Sequence, residues 1–214
     1  MSKGNGFSYP RQAHEILSPA LRLFRRDLRQ YRWERLNSTD TDRELVEQAL
    51  DGSLEAFNLL VWRWQRHLYN FLLRLTGDRS VAEDISQEAF LRSYLNLKDL
   101  RERERFASWL FRIAVNLYHS DRRRASLPTT DVADTAVWSD PAGGVHPVPR
   151  ETRLAIRSLV FRLKPELRAV VLLRFFHGFQ FDEMAMILDC PVSTLKSRLY
   201  KAVDELRTGL QGPD

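Results

Sequence analysis

Apolar residues recur at three- and four-residue spacing along almost the whole chain, and strand-type alternation is nearly absent. The pattern predicts an all-α protein. Residues 14–35 place Leu17, Leu21, Phe24, Leu28 and Tyr31 on one helical stripe and six arginines on the opposite face. A short helix follows over 42–50, with Leu45, Val46, Ala49 and Leu50 apolar. Asp51-Gly52-Ser53 ends it and caps a longer helix reaching about Leu75, which buries Phe57, Leu60, Val61, Trp64, Leu68, Phe71 and Leu72. Thr76-Gly77-Asp78 is the next stop signal. A third helix runs from about Val81 to Leu95, and a charged loop spans Lys98 to Arg105. A fourth helix carries Phe106, Leu110, Ile113, Ala114 and Leu117, and ends in Arg122-Arg123-Arg124, cations that suit a helix C-terminus.

Residues 125–150 break the pattern with four prolines, a Gly-Gly pair and no apolar period, as a linker does. Fully extended, it reaches at most ~85–90 Å, so the flanking helical domains are free to sit far apart. The expected organisation is a basic N-terminal extension with an amphipathic helix over 1–41, a helical domain over 42–124, the linker, and a second helical domain over 151–214. In that last domain one helix holds Leu154, Ile156, Leu159, Val160 and Leu163. Another starts near Pro165, buries Leu167, Val170, Val171 and Phe175, and stops at His177-Gly178.

The most informative stretch is FDEMAMILDCPVSTLKSRLYKAVDEL, from Phe181 to Leu206. It predicts two helices joined at an Asp189-Cys190-Pro191 corner. The second opens on Ser193-Thr194 and carries Lys196, Ser197, Arg198, Tyr200 and Lys201 outward, while Leu195 and Leu199 read as core. A helix-turn-helix puts the start of its second helix into the DNA major groove, where short polar and cationic side chains meet base edges and phosphates. Net charge is +5, of which the first 41 residues carry +4. This is modest support for a polyanionic partner. The basic face of 14–35 has three open readings: a solvated face of a packed helix, a docking surface for DNA, polymerase or an inhibitor, or a stretch added by a mistaken start codon.

A single cysteine, Cys190, excludes an internal disulfide and a cysteine-rich zinc site, and it fits a reducing compartment. The N-terminus shows no apolar signal segment and no run approaches the ~20 residues of a membrane span, so a cytoplasmic protein is expected. The chain has no P-loop, nucleophile elbow or metal-ligand cluster, and its five histidines are dispersed. No cofactor and no covalent chemistry are expected.

The order of parts resembles the bacterial extracytoplasmic-function (ECF) sigma factors, two-domain specificity subunits of RNA polymerase. Three stretches carry the resemblance: AEDISQEAFLRSY on the third helix, RFASWLFRIAVNL on the fourth, and LKPELRAVVLLRFFHGFQFDEMAMILDCPVSTLKSRLYKAVDEL at the C-terminus. They are similar to sigma regions 2.2, 2.3–2.4 and 4. The resemblance implies that Asp84, Gln87, Glu88 and Leu91, which share one helical face, bind the clamp helices of the largest subunit of core polymerase. By composition alone the same face is a solvated one. The fourth helix and its preceding loop correspond to the family's reader of the minus-ten element as melted strand. Asn116 matches the base-contacting asparagine, and Arg92, Asn96, Phe111 and Ile113 lie at matching pocket positions, with Leu100, Arg101 and Arg112 on the same loop and helix; for Phe111 a simple core role stays open. Many relatives carry a small or glycine-containing loop, often with an aromatic residue, near Leu100, whereas this chain continues Arg-Glu-Arg-Glu-Arg, whose cations can track phosphates.

In region 4 both readings converge on Ser193, Thr194, Lys196, Ser197, Arg198, Tyr200 and Lys201 as the contacts to the duplex minus-thirty-five element. Whether Lys196 and Arg198 read guanine or hold phosphate is open. In the family the linker threads polymerase channels, and its acidic residues suit a basic channel; a plain tether is the other reading. The implied partners are core RNA polymerase, promoter DNA and an anti-sigma factor. The competing reading is a dimeric helix-turn-helix regulator that acts without polymerase.

Overall fold

The computed structural model describes residues 40–125 and 150–211. The amphipathic stretch 14–35, the Arg123-Arg124 side chains and nearly all of the proline-rich segment lie outside the described residues. Every described element is helical, as the spacing of apolar positions requires, and none is long and apolar enough to cross a membrane.

The N-terminal domain contains α1 (Asp42–Leu50), α2 (Leu54–Thr76), α3 (Arg79–Leu95) and α4 (Phe106–Ala125). Its boundaries follow from local chemistry. The Thr41 hydroxyl accepts from the Glu44 amide at 3.3 Å while the Glu44 carboxylate accepts from the Thr41 amide at 2.6 Å, a reciprocal capping box. Ser53 and Asp78 cap α2 and α3 through the amides of Ala56 and Val81. At the end of α2, Gly77 adopts φ 76°, the left-handed conformation that a glycine enters without a Cβ clash. Arg63 and Trp64 of α2 both donate to the Asp42 carboxylate, the latter at 2.8 Å, which fixes α1 across α2. Between α3 and α4 the chain makes two short 3-10 turns, Leu97–Asp99 and Arg103–Arg105.

The C-terminal domain contains α5 (Arg150–Arg162), α6 (Pro165–Val171), α7 (Phe181–Leu188) and α8 (Val192–Gln211). Pro165 sits at the first turn of α6, where its missing N–H costs nothing. Beyond Val171 the helix widens into a π turn over Leu172–Phe176. That turn corrects one expectation. Leu172 and Leu173 are buried, whereas Phe175 is 62% exposed, because the wider turn rotates it off the core stripe. Asp189, at φ 48°, makes the corner between α7 and α8.

The two domains are not held apart. Their buried side chains form one continuous core, from Leu45 and Phe57 through Phe71 and Phe111 to Phe179, Met184 and Leu195. Across the seam Phe111 of α4 lies 5.0 Å from the ring of Phe179, and Arg105 and Arg112 of the first domain face Asp182 and Asp189 of the second at 4.0 and 3.7 Å. Arg168 of α6 is 5% exposed. It donates to the carbonyl of Leu75 at 2.9 Å in the first domain, and to those of Phe161 and Leu163 in its own. The freedom that linker length allows is therefore not used in this arrangement.

Candidate nucleic-acid interface

Two exposed polar surfaces stand out. The first is the leading half of α8. Leu195 and Ala202 are fully buried and Leu199 packs partly against the core, which orients the helix. The same register turns Ser193, Lys196, Ser197, Tyr200 and Lys201 to solvent, with Tyr200 75% exposed. Thr194 and Arg198 are half-buried. The Ser197 hydroxyl donates back to the Thr194 carbonyl at 2.9 Å, and Arg198 reaches the Cys190 sulfur at 3.8 Å. The Lys196 ammonium lies 5.9 Å from the centre of the Phe181 ring, which ties the base of the helix to α7. The Cys190 thiol is pushed up by burial, which disfavours the reactive thiolate. A cationic, hydroxyl-bearing helix start projecting beyond a packed partner helix suits groove entry.

The second surface lies on α3, α4 and the loop between them. Arg92, Asn96, Arg101 and Asn116 are exposed, and Arg112 and Ile113 half-buried. Asn96 caps the end of α3, its side-chain amide donating to the Arg92 carbonyl at 2.8 Å. Arg112 is drawn toward Asp189 across the seam. Two of the expected contacts are covered in this arrangement. Leu100 is 4% exposed, because the 3-10 turn at Leu97–Asp99 folds it inward, and its carbonyl accepts from Arg103. Phe111 is fully buried, stacked among Phe71, Trp64, His177 and Phe179. In this arrangement neither presents a surface to a base.

On α3, Asp84 is exposed and Gln87 and Glu88 are half-buried. Glu88 pairs with Arg92 one turn later at 2.7 Å. Leu91, at 5% exposure, packs into the core beneath this face, since its position on α3 points toward the bundle. The surface open to a partner is therefore Asp84, Gln87 and Glu88.

The seam was not read as functional from sequence. One clue was available, a lone cation, Arg168, inside the apolar run Leu167 to Leu173. His177 and Asp189 carry no comparable signal, because a helix-end histidine and a corner aspartate are ordinary.

Described residues that are helical throughout, with a helix-turn-helix at one end and a polar helix-and-loop surface on a second domain, define a two-domain DNA-binding transcription protein. Residues 60–127 match the family model for sigma-70 region 2, and residues 153–206 that for sigma-70 region 4. The chain is 34% identical over 185 residues to the ECF RNA polymerase sigma-E factor of Escherichia coli K12, covering 80% of this chain and 95% of that one. It is 30% identical over 183 residues to the RNA polymerase sigma-H factor of Pseudomonas aeruginosa, with the same coverage. Among solved structures it resembles CnrH in complex with the cytosolic domain of CnrY (TM-score 0.61, 25% identity, 82% of this chain and 100% of that one). The fold also matches the sigma factor RpoE in complex with the anti-sigma factor NepR from Bartonella quintana (TM-score 0.57, 21% identity, 74% and 98%). The chain belongs to the ECF RNA polymerase sigma factors, which are DNA-binding transcription initiation factors. The alternative of a dimeric regulator without a sigma role is not favoured.

Proposed function

We propose that the chain grips a promoter in two places. Region 4, over 151–214, takes the minus-thirty-five duplex through Ser193, Thr194, Lys196, Ser197, Arg198, Tyr200 and Lys201. Region 2, over 42–124, holds the melted minus-ten strand through Arg92, Asn96, Arg101, Arg112, Ile113 and Asn116. Asp84, Gln87 and Glu88 of region 2 bind the clamp helices of core polymerase, where carboxylates take charge-assisted bonds from basic side chains. Phe111 joins the strand-reading surface only once region 4 has moved off it. The observation that carries this reading is the register of α8, which buries Leu195 and Ala202 and exposes Lys196, Ser197 and Lys201 together.

The protein acts in the cytoplasm, performs no covalent chemistry of its own, and leaves nucleotidyl transfer to polymerase. An anti-sigma factor is its further partner, a reading supported by family membership and by the CnrH likeness, since CnrH was solved with a second protein. Changing Lys196 and Lys201 together to alanine tests the duplex assignment. Loss of two phosphate contacts lowers affinity for all duplexes and reduces the salt slope of binding by about 2. An unchanged slope removes both residues from the interface.

A further inference from the structure

His177 sits where the π turn ends, and its ring enters a socket on the other domain. The socket walls are Phe71 of α2 at 5.8 Å, Phe111 of α4 at 5.4 Å and His67 of α2 at 6.1 Å, each meeting the imidazole edge-on. The residue as a whole is half-buried, yet both ring nitrogens are out of water and neither has a hydrogen-bond partner. A neutral imidazole ordinarily donates from one nitrogen and accepts at the other, so a buried ring with both idle is costly to place and harder still to charge. The titratable groups that act on it are Arg74 and His67 on α2; the elements packed against it also carry Arg112 on α4, which faces Asp189, and Arg174 on its own segment, whose guanidinium donates to the Phe179 carbonyl and the Gln180 side chain. None of these is an acid that would hold an imidazolium in place.

We propose that His177 is an acid-releasable latch: its uncharged ring seats region 4 on region 2, and protonation expels it and opens the two domains. The closed form covers Phe111 with Phe179 and His177 and draws Arg112 toward Asp189. Opening frees both residues for the melted strand. That consequence rests on the two-point promoter reading, whereas the latch itself concerns only the distance between domains.

The direction of the pH effect follows from linkage. Burial first, then Arg74 and His67, lower the pKa of His177 from 6.5 to about 3 in the closed form. A histidine with a depressed pKa favours the closed form fully above its open-state value and loses that contribution as pH falls through 6.5 toward 3. Between pH 7.5 and 5.5 the closed-to-open ratio therefore falls about tenfold, taking the open-state ring at its ordinary pKa.

The test uses the full chain with Cys190→Ser and donor and acceptor dyes at Gln48→Cys and Glu205→Cys, both exposed positions on opposite domains. Interdomain transfer efficiency is followed in DNA-free protein from pH 7.5 to 5.5. The latch predicts a roughly tenfold shift toward the open form, abolished by His177→Phe and by His177→Gln and retained in His67→Gln. Two neutral replacements, one apolar and one polar, guard against a single variant that packs badly. A pH-independent distance in the parent chain overturns the proposal. So does a full response surviving in both His177 variants, or one abolished only by His67→Gln, whose own ring is also depressed by burial. A failed latch leaves promoter-directed initiation intact, and failed initiation leaves the distance change intact, so the two readings fall separately.

Discussion

The guanidinium of Arg168 in region 4 donates a 2.9 Å hydrogen bond to the carbonyl of Leu75 in region 2, 93 residues earlier. Leu75 lies in the last turn of α2, where carbonyls lack intrahelical partners and the helix dipole favours a cation. The same side chain reaches the carbonyls of Phe161 and Leu163 at the end of α5, with its guanidinium 4.4 Å from the centre of the Phe161 ring. One buried cation thus terminates two helices from different domains.

Removing that cation should weaken the fold. Arg168→Met keeps most of the stem volume but leaves three carbonyls without their donor. The expected loss is roughly 2–4 kcal/mol, read as a lower urea midpoint, with Arg168→Lys between variant and parent. An unchanged midpoint for the methionine variant would show that water replaces the guanidinium without cost.

Two glycines separate backbone strain from domain packing. Gly52 and Gly77 both have positive φ, at 98° and 76°, but a Cβ on Gly52 meets nothing within 4 Å, whereas one on Gly77 falls 2.6 Å from the Phe161 ring across the seam. Gly52→Ala should cost about 1–2 kcal/mol from conformation alone. Gly77→Ala should cost more and also shift the domains apart, as thermal unfolding and scattering would register. Equal losses with no domain shift would argue against the seam.

Glu88→Lys tests the proposed polymerase face. Glu88 forms a surface pair with Arg92, a kind worth under ~1 kcal/mol, so the variant should stay folded with its melting temperature little changed. Its co-elution with core polymerase should drop at least tenfold. Normal co-elution would remove Glu88 from the contact.

Asn116→Ala tests the proposed melted-strand contact. Asn116 is exposed on α4, so its loss should leave stability and duplex binding near parental levels. Permanganate reactivity of the opened minus-ten region should fall several-fold with the holoenzyme. Equal loss of duplex binding would point to damage elsewhere in the chain.

Much of this architecture was legible in the chain. The helix ends at Gly77 and Asp189, the cap at Ser53 and the register of α8 all follow from local chemistry that a sequence states outright. The α8 surface was readable for the same reason, because Leu195 and the outward Lys196, Ser197 and Lys201 differ in polarity at helical spacing. The burial of Leu91, Leu100 and Phe111 was not. An apolar residue on a polar helix face fits a core or a binding pocket equally well, and only tertiary packing decides between them. Phe175 escaped because a π turn leaves no periodic trace. The seam escaped because His177, Phe179 and Arg168 meet partners far away in sequence, across a segment whose composition signals separation rather than contact.

Sigma activity is tested most directly by transcription from a reconstituted mixture of this chain and core polymerase on genomic fragments, with transcript starts mapped. Discrete starts should appear only when the chain is present, downstream of a shared pair of promoter elements, and should fade when Lys196 or Asn116 is changed to alanine. A mixture that binds DNA yet initiates on no fragment, or that yields the same starts without the chain, would contradict it.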